Sequence, residues 1–266
     1  MADLDAIRHD LTAEHADLDD VVALLDDEEW DVRTPAEPWT VRHQIAHLAF
    51  FDECATLAAT DADGFGASLA GITSLDDYVD APLRRADERS PSEVLRWWRS
   101  ARADMLGAFA ALDPGTRIPW YGPPMSPASF MSARLMETWA HGKDVLDALD
   151  IERRPTDRLA HIAHLGYRAR RNSYAANGRE MPHGNVRVEL TAPSGATWTY
   201  GDSDVDRVHG PALDFCLVVT QRRHLDDTGL EVEGELAREW MQIAQAFAGP
   251  PGEGRRPGQF ARPSGS

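Results

Sequence analysis

The chain has 266 residues, 42% of them hydrophobic, and its 44 acidic against 27 basic side chains give a net charge of −17. That length buries a sizeable core, as one large domain or two ordinary ones, while the charge repels phosphate backbones and anionic lipid surfaces and argues against nucleic acid as a partner. No window approaches the roughly 18 uninterrupted apolar residues of a membrane span, and the acidic start MADLDAIRHDLTAEHADLDD is unlike an export signal, so a cytoplasmic protein without a membrane partner is expected.

In chain order, Leu4, Ile7, Leu11, Leu18, Val22 and Leu25 recur on one side and predict an amphipathic helix over about 4–25. The turn-rich RTPAEPW leads to Thr40, which can cap a second helix from Val41 to about Ala59. TDADGFGASLAG reads as a loop. Ser90, Pro91 and Glu93 make a helix start, followed by the apolar line Val94, Leu95, Trp98, Met105, Phe109 and Leu112. DPGTRIPWYGPPMSP breaks that pattern, and a fourth helix runs from about Pro127 to Leu149. Four amphipathic helices with two long connections predict a four-helix bundle, whose sites are built from side chains on facing helices.

After DIERRPTD the pattern changes. A helix over about 156–174 precedes a hairpin made by NVRVELTAP and ATWTYGD around PSG; GPALDFCLVVTQRRHL reads as a helix, TGLEVEG as a strand and ELAREWMQIAQAF as a last helix. The fold class is α+β overall, with a helical bundle at 1–152, a small α+β domain at 153–249 and a Pro/Gly/Arg-rich tail at 250–266 whose composition predicts disorder. Cys54 and Cys216 stand far apart in apolar helical patterns, which suggests neither a disulfide framework nor a thiolate metal site.

The chemistry concentrates on LMETWAHGKDVLDAL. Glu137, His141, Asp144 and Ala148 follow one another at spacings of four, three and four and share a helical face that adjoins the apolar one. Charged groups so placed are partly buried and need partners, and a shared cation would satisfy both a carboxylate and a neutral imidazole. In the second helix, VRHQIAHLAFFDE, His47 is the more inward histidine, and Asp52 falls within the apolar face, where it supports a ligand or pairs with an arginine. Arg102 interrupts the apolar face of the third helix and reads as a buried salt bridge to Asp52 or Asp144, or as a clamp for a substrate carboxylate. His15 reads as a hydrogen-bonded core residue, His9 and His43 as exposed, and His161 with His164 as packing. Spacing alone leaves His47, Glu137 and His141 open between a metal site and a polar network.

The segments PWTVRHQIAHLAFFDE and LMETWAHGKDV, in this order and separation, resemble the two signatures of the DinB-like metal-binding bundles, in particular the mycothiol-dependent maleylpyruvate isomerase family of actinobacteria. The second half resembles the small α+β, sterol-carrier-like domain that follows the bundle there, so the resemblance spans nearly all of residues 1–250. It implies that His47, Glu137 and His141 hold a divalent ion, usually zinc, with open positions for water or a thiol, and that mycothiol is a cosubstrate. It also implies an arginine from the second domain near the site, for which Arg222 and Arg223 in TQRRH are the candidates.

Three functions follow in order of preference. The first is a zinc-dependent, mycothiol-using isomerase or thiol transferase acting on a small electrophile, with Arg102 or a second-domain arginine holding acidic groups. The second is a metal-dependent hydrolase or lyase with Asp144 or Asp52 as base or orienter, and the third is a non-catalytic metal- or ligand-binding protein. Trp120 and Tyr121, at the entry to the fourth helix, close over the cation or merely pack. A small molecule and a low-molecular-weight thiol are the expected partners, and the protein is expected to be a monomer or homodimer.

Overall fold

The computed structural model describes residues 3–70, 72 and 75–260. The chain divides into two compact units, Met1–Arg153 and Arg154–Ser266.

The first unit is helical: α1 (Leu4–Val22), α2 (Val41–Thr60), α3 (Ala62–Ala70), α4 (Leu75–Asp87), α5 (Pro91–Ala110) and α6 (Pro127–Ala148). Local chemistry sets the starts of the long helices. Asp3 accepts the backbone N–H groups of Asp5 and Ala6 at 3.0 and 3.2 Å, and the Glu93 carboxylate reaches back to the Ser90 N–H at 2.8 Å. Ser126 accepts from the Ser129 N–H at 3.2 Å, with Pro127 in the first turn, where its missing N–H is harmless. The long helices pair as α1 on α6, α2 on α5 and α2 on α6. Ile45, Leu48, Val94, Trp98 and Val145 meet in the core between them.

Two elements depart from the expected pattern. TDADGFGASLAG, expected as a loop, contains α3. The Asp61 carboxylate accepts the Gly64 N–H at 2.9 Å, which starts the helix, and burial of Phe65 anchors it. The helix α4 was not expected either; it carries Pro82 in its interior, a residue that ordinarily signals a break.

The second unit holds a four-stranded sheet in the order β2-β1-β3-β4, from β1 (Arg187–Thr191), β2 (Thr197–Tyr200), β3 (Arg207–Pro211) and β4 (Glu231–Glu233). β1 and β2 form the expected antiparallel hairpin, while β3 lies parallel to β1, with Val188 opposite Val208 and Leu190 opposite Gly210. Val188, Leu190 and Val208 are buried on one face, and α7 (Leu159–Arg168), α8 (Arg170–Ala176), α9 (Ala212–Val219) and α10 (Glu235–Ile243) complete the unit. The helix expected over 156–174 is thus two, separated at Ala169. α7 approaches α9 so closely at Gly166 that a Cβ there would lie 2.7 Å from a Val219 methyl.

Within the stretch whose composition predicts a disordered tail, Gly258 and Phe260 donate backbone N–H groups to Asp227 at 2.8 and 3.4 Å, and the Arg223 guanidinium lies 3.9 Å from the Phe260 ring centroid. Residues 261–266 lie outside the described residues. No helix among the described residues is long and apolar enough to cross a membrane.

Candidate metal centre

Because α2 packs on α6, His47 faces Glu137 and His141. His141 Nε2 lies 3.2 Å from Glu137 Oε2 and His47 Nε2 lies 4.0 Å from the same oxygen. The two imidazole centroids are 4.4 Å apart. One donor atom from each of the three residues falls within 4.8 Å of the others, and this is the one group of metal-capable side chains among the described residues. The side chains retain 12, 23 and 11% of their exposure for His47, Glu137 and His141, so the donors are shielded yet reachable. Two imidazoles and one carboxylate are the donor set of open zinc sites, so the residues present fit a divalent ion.

The surrounding residues orient these donors. His141 Nδ1 sits 2.6 Å from Gln44 Oε1, so the ring donates there and turns Nε2 toward Glu137. Gln44 in turn donates from Nε2 to Thr34 Oγ1 at 2.8 Å, and Thr34 Oγ1 donates to the Trp39 carbonyl at 2.9 Å. The RTPAEPW turn, closed by the Thr34 N–H to Trp39 carbonyl bond at 2.8 Å, thereby sets Trp39 over the site. The Trp39 ring stacks on His141 at 5.9 Å and 13° and leans on His47 at 5.0 Å, while Phe51 flanks His47 at 4.5 Å. Burial alone would raise the Glu137 carboxyl, but the hydrogen bond from His141 and the nearby His141, Arg134 and His47 charges offset it and hold it down to about 2. The group is an anion ready to meet a cation.

Other candidates lie in a buried charged layer. Asp52 is fully buried and receives Arg134 Nε at 3.0 Å and Nη2 at 2.9 Å. Burial pushes the Asp52 carboxyl up while Arg134 works against that rise. Arg102, expected against Asp52 or Asp144, instead binds Asp19 of α1 and the His15 carbonyl, the latter at 3.1 Å, because α1 is the helix that offers a carboxylate at its level. Asp19 also binds Arg99 Nε at 2.9 Å. Asp144 is buried on α6, one turn beyond His141.

His15 is buried as expected, but neither ring nitrogen has a hydrogen-bond partner among the described residues; its ring meets Trp98 edge-on at 6.0 Å. Burial first, then the Arg102 and Arg134 charges, lower its pKa to about 3. His43, expected to be exposed, is largely covered, because it accepts from the Thr40 N–H at 3.2 Å and pairs with Asp87 of α4 at 2.9 Å. Trp120 and Tyr121 do not stack on the ligands themselves; they pack on Phe51 at 6.4 and 5.8 Å. Arg222 and Arg223 sit in the turn that ends α9, where both backbone N–H groups return to the Leu217 carbonyl. Arg222 Nη1 donates to the Thr220 carbonyl at 2.7 Å.

Gln44, Trp39, Arg134 and Asp19 were not singled out from the sequence. Arg134 stands one turn before Glu137, and Gln44 one turn before His47, so the same spacing that marks the candidate ligands marks these two.

Comparisons with known proteins bear on family and fold. The family model described as the mycothiol maleylpyruvate isomerase N-terminal domain matches residues 11–146. An uncharacterized protein of Mycobacterium tuberculosis, found in two strains, is 46% identical over 257 residues, which is 96% of this chain and 100% of that protein. Among solved structures, the mycothiol-dependent maleylpyruvate isomerase superposes with a TM-score of 0.59 at 15% identity, covering 84% of this chain and 90% of that one. A histidine-to-alanine variant of that isomerase gives 0.58 at 15%, over 87 and 93%. The likeness in structure extends over most of both chains and establishes the fold. From the domain match and the full-length relatives, the chain belongs to the mycothiol maleylpyruvate isomerase N-terminal domain family.

Proposed function

We propose that the protein is a zinc-dependent enzyme that uses mycothiol, as an isomerase or thiol transferase acting on a small electrophile, in a reducing cytoplasm. The observation that carries this reading is the convergence of His47, Glu137 and His141, with the His141 tautomer set by Gln44, in a chain of this family. A divalent ion held by these three residues would supply a positive centre at which a thiol is deprotonated near neutral pH. The chain's own residues then do the remaining work. Glu137 would balance part of the ionic charge, Gln44 keeps His141 aimed, and Trp39 and Phe51 keep bulk water from the imidazoles.

Of the two carboxylates the hydrolase reading offers as base, Asp52 is already held by Arg134, which removes it as a free base and leaves only Asp144 for that reading. The non-catalytic reading loses ground to the family, since a solved structure that the chain resembles is that of a mycothiol-dependent isomerase. In a titration of zinc-loaded protein with mycothiol, stoichiometric binding is expected, and it should vanish in Glu137→Gln. A zinc-loaded protein that binds no mycothiol overturns the proposal.

A further inference from the structure

Beyond the candidate metal ligands, a cluster of rings from α2, α4 and the loop before α6 runs on from Phe51, which the proposed thiol chemistry uses only to shield His47. Phe51, which flanks His47, is also 5.8 Å from Tyr121 and 6.4 Å from Trp120; Tyr78 of α4 lies 5.8 Å from Tyr121. Trp120 is stacked at 5.5 Å and 7° on the buried Phe65 of α3, so α3 and the loop before α6 hold the wall in place. Phe51, Tyr78, Trp120 and Tyr121 all remain partly exposed, which makes this an aromatic surface beginning at a metal ligand. Such a surface is better covered by a flat apolar group than by water.

Its polar atoms are of one kind. Tyr78 Oη and Tyr121 Oη are hydrogen-bonded to each other, and Cys54 Sγ lies 3.4 Å from Tyr78 Oη. Burial raises the pKa of all three groups, so they stand as neutral donors. Cationic groups adjoin the cluster but are occupied: Arg134 by Asp52, and Arg85, which lies 6.0 Å from the Phe50 ring, by Glu53 at 3.0 Å. A ligand carboxylate would therefore meet phenols and rings here, with both neighbouring guanidinium groups already paired, whereas a carbonyl oxygen would meet donors suited to it.

We propose that this cluster binds the unreactive half of the electrophile and selects a planar, uncharged, conjugated carbonyl compound, its flat part against Phe51 and Trp120 and its carbonyl oxygen accepting from Tyr121 or Tyr78. The assignment of that compound as the substrate rests on the proposed thiol chemistry; its binding does not, which makes the two separable.

The test is a calorimetric titration of the zinc-loaded, full-length protein, without thiol, with benzylideneacetone and with cinnamate, which share a ring and double bond but differ in charge. Benzylideneacetone should bind with one-to-one stoichiometry and cinnamate at least about tenfold more weakly. Tyr121→Phe should weaken benzylideneacetone by about tenfold, the upper end of what one hydrogen bond contributes, and Phe51→Ala should weaken it further, at unchanged circular dichroism. Equal or tighter binding of cinnamate, no binding of the ketone, or indifference to both substitutions overturns the proposal. A parallel mycothiol titration separates the two readings: thiol binding without ketone binding sinks this inference alone, and ketone binding without thiol binding sinks the thiol chemistry alone.

Discussion

Two groups of ionisable side chains lie in the same helical unit and are built from similar residue types, yet they differ in how their charge is balanced. In the first group two carboxylates have their cations within the chain: buried Asp52 has Arg134, and the less enclosed Asp19 has both Arg99 and Arg102. At the candidate metal centre Glu137 has two imidazoles beside it, whose Nε2 atoms can serve as lone-pair donors, so the trio is suited to take positive charge from outside. A carboxylate on a core-facing helix is thus a strut or a ligand according to whether an arginine or a histidine shares its level.

Breaking the first arrangement should have the largest effect. Arg134→Met strands the Asp52 carboxylate in a fully buried position, and a loss of about 3–5 kcal/mol is expected from denaturant unfolding. The double variant Arg134→Met with Asp52→Leu should recover much of it; equal instability of single and double variants would argue that packing, not charge balance, matters there.

His15 sharpens the contrast through pH. Its folded-state pKa of about 3 lies below the ordinary 6.5, so the unfolded chain binds the proton more readily. Stability is therefore fully present above the unfolded value and falls as pH drops from there toward the folded one. Arg102, Arg134 and Asp19 surround this group, and the loss is up to about 3 kcal/mol between about pH 6.5 and pH 4. In His15→Leu that part of the slope should disappear; a slope as steep as in the wild type would remove His15 as its source.

At the metal centre, Gln44→Ala removes the acceptor that orients His141 and should weaken zinc by about 10–100-fold in competition with a chelating indicator. Unchanged affinity would mean that Trp39 stacking alone fixes the ring. The smallest effect is expected for Arg102→Met, about 1–2 kcal/mol, because Asp19 keeps Arg99. A loss as large as that of Arg134→Met would erase the distinction between a partly exposed and a buried pair.

That His47, Glu137 and His141 come together was legible in the sequence because it depends on spacing within helices, while their reading as metal ligands came from the family resemblance. His47 on α2, and Glu137 and His141 on α6, need only a face and an apolar neighbourhood to stand out. The choice of partners was not legible, since it depends on which helices adjoin: nothing in the α5 pattern says that Arg102 meets Asp19 of α1 rather than Asp52 of α2. Arg134 was passed over among its apolar neighbours, and Trp39 follows a turn whose closure places it over His141. The helices α3 and α4, masked in the sequence by glycines and a proline, owe their place to tertiary contacts of Phe65 and Tyr78 with the rings on α2 and in the loop before α6.

The central claim is that His47, Glu137 and His141 together hold one divalent ion. It is tested most directly by elemental analysis of the full-length protein after exposure to zinc and gel filtration, beside His47→Ala and Glu137→Gln variants of unchanged circular dichroism. One zinc per wild-type chain and none in either variant is the predicted result; a metal-free wild type, or variants that retain their zinc, would contradict it.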